Sequence, residues 1–132
     1  DSERLAGALL SSFEGHLFIE EPELSLYPDN QTALVDFLVE RCFHPGLEYQ
    51  VTLMMATHSP YIVNYLNLLT ARHRHASQGV TSLSADDIDV YLVAGGTLSR
   101  MNIEDNGVEL IDTSILSDPI AEIYHEYNSL GK

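Results

Sequence analysis

The chain has 132 residues, 45% of them apolar, a formal net charge of −14 and a single cysteine. That length suits one core, Cys42 alone excludes an internal disulfide and fits a reducing compartment, and six Lys and Arg against twenty acids argue against nucleic-acid contact by this segment, because phosphate backbones are held mainly by cationic side chains. No apolar run approaches the roughly 18 residues of a spanning helix and the start does not read as a signal peptide, so a cytoplasmic protein without membrane contact is expected, and its acidity reads first as a solvated surface.

In chain order, Asp1, Ser2, Glu3 and Arg4 open a predicted amphipathic helix over 2–13, with Leu5, Leu9, Leu10 and Phe13 on its apolar face. Leu17, Phe18 and Ile19 form a continuous apolar run, which predicts a strand over 16–20 buried on both faces, with Glu20 and Glu21 emerging at its carboxyl end. Pro22 is expected to stop that strand and to hold Glu21 extended. A helix follows near 29–43, capped by Asp29, with Leu34, Phe37, Leu38 and Cys42 at helical spacing. The strand over 50–56 runs into Thr57, His58 and Ser59. Ser59 and Pro60 then give a hydroxyl cap and a proline at the first helical position. The resulting helix, from Pro60 to about Arg74, presents Ile62, Leu66 and Leu69 on one face.

The segment 78–87 is polar and without periodicity. Ile88 to Val93 reads as a strand, Gly95 and Gly96 as a hairpin turn, and Leu98 to Ile103 as its partner. Asp105, Asn106 and Gly107 mark a turn before Val108 to Ile111. Ser117, Asp118 and Pro119 start a last helix bearing Ile120, Ile123, Tyr124 and Tyr127. With no internal repeat and no low-complexity linker, residues 1–132 read as a single domain of alternating helix and strand, an α/β fold.

The chemistry concentrates at two strand ends. In open α/β sheets the ligand crevice lies outside the carboxyl ends of the strands, so Glu20 and Glu21 face a ligand rather than the core. Two adjacent carboxylates raise each other's proton affinity unless a cation is close, and magnesium would supply one. A solvated acidic turn after an edge strand is the plain alternative. His58 lies between a strand end and a helix start, where a neutral imidazole can donate to a phosphoryl oxygen while its other nitrogen is held by the protein; a purely structural hydrogen-bonding role is the alternative there.

LFIEEPELSLYP over 17–28, followed some thirty residues later by ATHSP over 56–60, resembles the carboxyl-terminal half of an ABC-class P-loop ATPase, closest to the SMC, OLD-nuclease and recombination-repair branch. The resemblance implies a partial P-loop lobe, with a largely parallel sheet flanked by helices and a carboxyl-terminal β-hairpin and helix. It implies ATP and Mg2+ as cofactors. The apolar strand with its two acids stands at the Walker B motif, the segment after it at the D-loop, and THSP at the switch histidine. Glu20 takes the place of the aspartate that holds magnesium, Glu21 that of the glutamate that polarises water, and His58 that of the γ-phosphate sensor. Ser59 adjoins this sensor, and Ser25 and Leu26 are implied near the nucleotide of a head-to-tail homodimer partner. Two positions depart from the pattern: Glu20, where aspartate is usual, and Tyr27, where many relatives carry histidine.

A Walker A loop needs GxxxxGK followed by Ser or Thr, and the only lysine is Lys132. The phosphate-cradling lobe is therefore expected on another segment of the same protein, with Asp1 and Ser2 at or just beyond the end of the signature motif. The chain alone is expected to turn over little or no ATP. The resemblance favours a DNA-maintenance or phage-defence system, with a nuclease or other effector as a further partner. Two other readings stand beside it. One is a non-catalytic, nucleotide-gated interaction module. The other is a Toprim-like metal nuclease whose carboxylate cluster would be Asp86, Asp87 and Asp89 with Glu20 or Glu21, although these aspartates precede a strand where that fold places its acids after one. His73 and His75, two residues apart on a helix, point to different faces and make a poor zinc pair.

Overall fold

A computed structural model of the chain describes residues 14–43 and 50–131, so the predicted helix over 2–13, with Asp1 and Ser2, lies outside the described residues. The chain divides into two units, one ending at Ile62 and the other beginning at Val63.

The first unit is built on two parallel strands, β1 (Glu14–Glu20) and β2 (Gln50–Ala56), in a register that sets Leu17 beside Leu53, Phe18 beside Met54 and Glu20 beside Ala56. Between them runs α1 (Pro28–Cys42), which packs on β2. Tyr27 is the N-cap residue, without a side-chain cap bond, and Pro28 opens the helix where its missing N–H costs nothing. Asp29 is thus not the cap; it lies in the first turn, favourably placed for the helix dipole. The buried face is Gln31, Val35, Leu38, Val39 and Cys42. Phe37 was expected on that face and instead is exposed, its ring covered by the Arg41 guanidinium at 5.3 Å.

The expectation that β1 is buried on both faces does not hold among the described residues. Phe18 and its neighbour Met54 are 60% and 62% exposed, and Leu17, on the opposite face of the strand, is exposed as well. Helix α2 (Pro60–Arg74) starts and stops where its sequence signals put it. Its first residues belong to this unit, with Ile62 fully buried.

In the second unit the rest of α2 buries Leu66, Leu69 and Thr70. The Arg72 guanidinium donates to the Thr81 carbonyl at 3.3 Å and lies over the Tyr65 ring. A 3-10 turn (Ala85–Asp87), capped by Ser84, precedes two antiparallel hairpins. The first joins β3 (Tyr91–Ala94) to β4 (Thr97–Arg100) through Gly95 and Gly96, and the second joins β5 (Asn102–Asp105) to β6 (Val108–Ile111) through Asn106 and Gly107. All four turn residues have positive φ, as two-residue hairpin turns matching the strand twist require.

Two expectations change here. The strand foreseen over 98–103 divides at the buried Met101, where the chain passes from one ladder to the other: its N–H donates to the Val90 carbonyl in the register of the first hairpin, and its carbonyl accepts from the Asp112 N–H in the register of the second. The described sheets are therefore one parallel pair and two antiparallel hairpins, not a largely parallel sheet with one hairpin. The strand foreseen from Ile88 begins only at Tyr91, because the bonds from Val90 and to Ile88 are made by the Asn102 side chain. The last helix, α3 (Ser114–Leu130), starts before Pro119, since the Asp112 carboxylate accepts from the Ser114 N–H at 3.0 Å and the Ser114 hydroxyl at 2.6 Å. Those bonds hold the Asp112 carboxyl below its ordinary range. None of the α3 residues is buried, and Ile120, Ile123, Tyr124 and Tyr127 are all exposed. No described helix is long and apolar enough to cross a membrane.

Candidate functional site

The parallel pairing of β1 and β2 brings their carboxyl ends side by side, and both polar segments of interest leave from there. Glu20 is the last residue of β1, exposed and beside Ala56. Glu21 prolongs the ladder by one bond, its N–H donating to the Ala56 carbonyl at 2.8 Å, and then the chain turns. It turns with Glu21 at φ +49°, in the left-handed region, so Pro22 does not hold Glu21 extended as expected. The long-range bond to β2 and the turn closed from the Leu24 N–H to the Glu21 carbonyl, with Pro22 in its second position, override the local preference. A second turn runs from Glu23 to Leu26, with Ser25 at φ +63° in its third position. Ordinary residues held left-handed cost of order 1 kcal/mol or more each and persist only where surrounding contacts fix them.

On the β2 side, His58 lies two residues beyond the strand. Its ring is 90% exposed, and its Nε2 is 3.8 Å from Oε1 of Glu21, itself about half exposed. The pair is in reach without a full hydrogen bond, and both side chains are open to solvent. The His58 backbone is better fixed than its ring, since its N–H donates to Glu23 Oε1 at 2.8 Å. Burial works to raise the Glu23 carboxyl, but bonds from its own N–H and the His58 N–H, the nearby Thr57 hydroxyl and the charge of a protonated His58 outweigh it. The group is held below the usual glutamate range. Its second oxygen, Oε2, is buried without a full hydrogen-bond partner.

Ser59 is buried and caps α2: its hydroxyl donates to Gln31 Oε1 and accepts from the Ile62 N–H at 3.4 Å. Both functions of that hydroxyl are thereby engaged within the fold. Gln31 also donates to the Leu26 carbonyl at 3.1 Å, so the Ser25 and Leu26 turn, the first turn of α1 and the cap of α2 are tied together. Ser25 is exposed and Leu26 half-buried. Glu21 and His58 are thus brought together, Ser25 and Leu26 share one turn, and Ser59 sits behind them in the packing.

Two contributors escaped the sequence reading. Glu23 is a third acid within four residues, and its spacing from Glu21 was the available signal. Gln31 is a polar residue in line with the buried positions Val35, Leu38 and Cys42, a pattern that announces a buried hydrogen bond.

No group of three or more described His, Cys, Asp or Glu side chains is arranged to hold a metal ion alone. Magnesium does not ask for one, since it is commonly held by one or two carboxylates together with phosphate oxygens and water, and the exposed Glu20 and Glu21 carboxylates fit that donor set. The aspartates of the nuclease alternative are differently placed. Asp89 is committed to Arg100, accepting at 2.8 and 3.0 Å, and Asp86 and Asp87 sit in the 3-10 turn.

Residues 4–64 match the family model described as "AAA domain, putative AbiEii toxin, Type IV TA system", a span that takes in β1, the acidic turns, α1, β2 and the His58 segment. The match supports a P-loop ATPase-type, nucleotide-binding AAA domain, and the mixed α/β structure is compatible with a P-loop fold. No curated protein and no solved structure matches the chain significantly.

Proposed function

We propose that this chain is the water-activating half of an ATP-hydrolysing domain of the ABC class. The observation that carries the reading is the placement of Glu21 and His58 3.8 Å apart at the carboxyl ends of two adjacent parallel strands, with Glu20 beside them. Glu21 orients the attacking water and takes up its proton as the bond between the γ-phosphoryl group and ADP breaks, which is the work of a general base at a strand end. His58 donates a hydrogen bond to a γ-phosphoryl oxygen, a role its exposed ring leaves open. Glu20 would hold magnesium, which would supply neutralising charge on the phosphates.

The uncovered Phe18 and Met54 face supports a second lobe, because parallel sheets are ordinarily covered on both sides. We assign that place to the Walker A lobe of the same protein. In a head-to-tail homodimer, Ser25 and Leu26 face the partner's nucleotide, and Ser59 acts from behind by seating the His58 segment. We place the protein in a cytoplasmic phage-defence or DNA-maintenance system, and the matched family's reference to AbiEii and a type IV toxin–antitoxin system supports the first of these.

The test is Glu21→Gln in the protein that carries both lobes. ATP turnover is expected to fall by roughly 10²- to 10⁴-fold with ATP still bound. Turnover at the wild-type rate would remove Glu21 from this role, and robust magnesium-dependent hydrolysis by the 132-residue chain alone would contradict the two-lobe reading.

A further inference from the structure

We propose that Glu23 is a positioning residue, whose carboxylate fastens the turn after β1 to the backbone of His58 and so sets the imidazole relative to Glu21. The inference rests on reading Glu21 and His58 as the water-activating pair. It names the group that keeps them in register.

A side chain that is 90% exposed has little packing to orient it, so the place of the His58 ring follows from its backbone. The bond from the His58 N–H to Glu23 Oε1, across 35 positions of sequence, anchors that backbone to the acidic turn. An amide bonded to a carboxylate is stronger than one bonded to a neutral acceptor. On the far side, Ser59 is locked by Gln31, whose amide also holds Leu26. The His58 segment is therefore clamped to the 21–26 turns on both sides, and Glu23 is the clamp nearest the imidazole. The buried Glu23 Oε2 shows that the carboxylate is drawn into the fold and not left in solvent, at a cost that a merely solvated acid would avoid. Misplacing a catalytic group by about 1 Å is enough to cost roughly 10²-fold in rate.

Three variants separate position from charge. Glu23→Gln keeps an acceptor oxygen at the same reach. Glu23→Asp keeps the charge but is one methylene short, and Glu23→Ala has neither. In the 132-residue chain, amide proton NMR should show the His58 N–H exchanging roughly 10-fold faster or more, with its resonance moved upfield, in the Asp and Ala variants; the Gln variant should retain protection. In the two-lobed protein, the Asp and Ala variants should lose roughly 10²-fold in kcat with KM for ATP little changed, and the Gln variant should recover most of the rate.

An unchanged His58 amide in a folded Glu23→Asp chain would overturn the proposal, as would a Gln variant as slow as the Asp variant. The NMR measurement needs no hydrolysis. If Glu21→Gln and His58→Ala both left turnover intact, the functional reading would fail, while the amide data would still decide whether Glu23 holds His58.

Discussion

The molecule carries two clusters of carboxylates, and they are furnished in opposite ways. Around Arg100, Asp89 and Glu109 meet one guanidinium at 2.8 and 3.0 Å, and Asn102 adds a contact to Glu109. The two carboxylates hold the Arg100 guanidinium charged over an even wider range than usual, its hydrogen bond to Asp89 first among the causes. Around Glu20, Glu21 and Glu23 there is no arginine or lysine pair among the described residues; the one nearby partner is His58, at 3.8 Å from Glu21. A fold that means only to tolerate neighbouring acids supplies its own permanent cation. The acids after β1 have only a histidine for that purpose among the described residues, which is what the proposed function, with its incoming charge, would use.

The sharpest way to break this comparison is to neutralise one acid in each cluster. Glu20→Gln in the two-lobed protein should lower magnesium-dependent ATP turnover by roughly 10²-fold, on the scale of other single electrostatic contributors to catalysis. Asp89→Asn should leave turnover near that of the wild type. Equal effects would mean that the two clusters do not differ in kind.

Stability should rank the clusters the other way. Asn102 is buried, accepts the Val90 N–H at 2.8 Å and donates to the Ile88 carbonyl at 3.1 Å, so Asn102→Ala should cost about 1–3 kcal/mol in urea denaturation. A loss below the resolution of that measurement would show that these bonds do not hold the hairpins.

Acid should expose a smaller effect in the cluster around Glu21. The Glu23 carboxyl titrates below its ordinary value of 4.5 in the folded chain, so its contribution is complete above that pH and lost as pH falls through the lower, folded value. Glu23→Gln should therefore flatten this part of the acid limb below pH 4.5 and leave the neutral region unchanged in slope, read as the urea midpoint against pH. Parallel curves for both proteins would remove Glu23 as a source of acid sensitivity.

Arg100→Met should have the smallest effect of the set, a modest drop in the denaturation midpoint that shrinks as salt screens the repulsion between Asp89 and Glu109. A drop that salt leaves untouched would point to lost packing instead.

Much of this could be read along the chain wherever the governing interactions are local. The runs 17–19 and 51–56, the Ser59 and Pro60 helix start, and the Asn106 and Gly107 turn each carry their signal within a few residues, and each element formed where that signal lay. The departures arise where a distant partner decides. Glu21 turns left-handed because Ala56 holds its N–H. Met101 divides the foreseen strand because its N–H belongs to the hairpin of Val90 and its carbonyl to that of Asp112, and α3 begins ahead of its proline, at Ser114, whose N–H and hydroxyl are both held by Asp112. The candidate site divides in the same way. Its exposed acids and histidine stand out as motifs, while Glu23 and Gln31, which hold them, are defined by bonds to residues 35 and 28 positions away.

Asn67 shows what such a distant bond can govern. Its side-chain amide donates to the Ile111 carbonyl and accepts from the Ile111 N–H, both at 2.8 Å, imitating a strand neighbour from within α2. The end of β6 is thus counted against a fixed mark on a helix, as well as against its partner β5. Lengthening the Asn106 and Gly107 turn by one residue would set those two counts at odds, because a strand that slips by one position presents the opposite face at every residue. The 44 positions between Asn67 and Ile111 behave as a measured length, and this hairpin should reject insertions that an ordinary surface turn accepts.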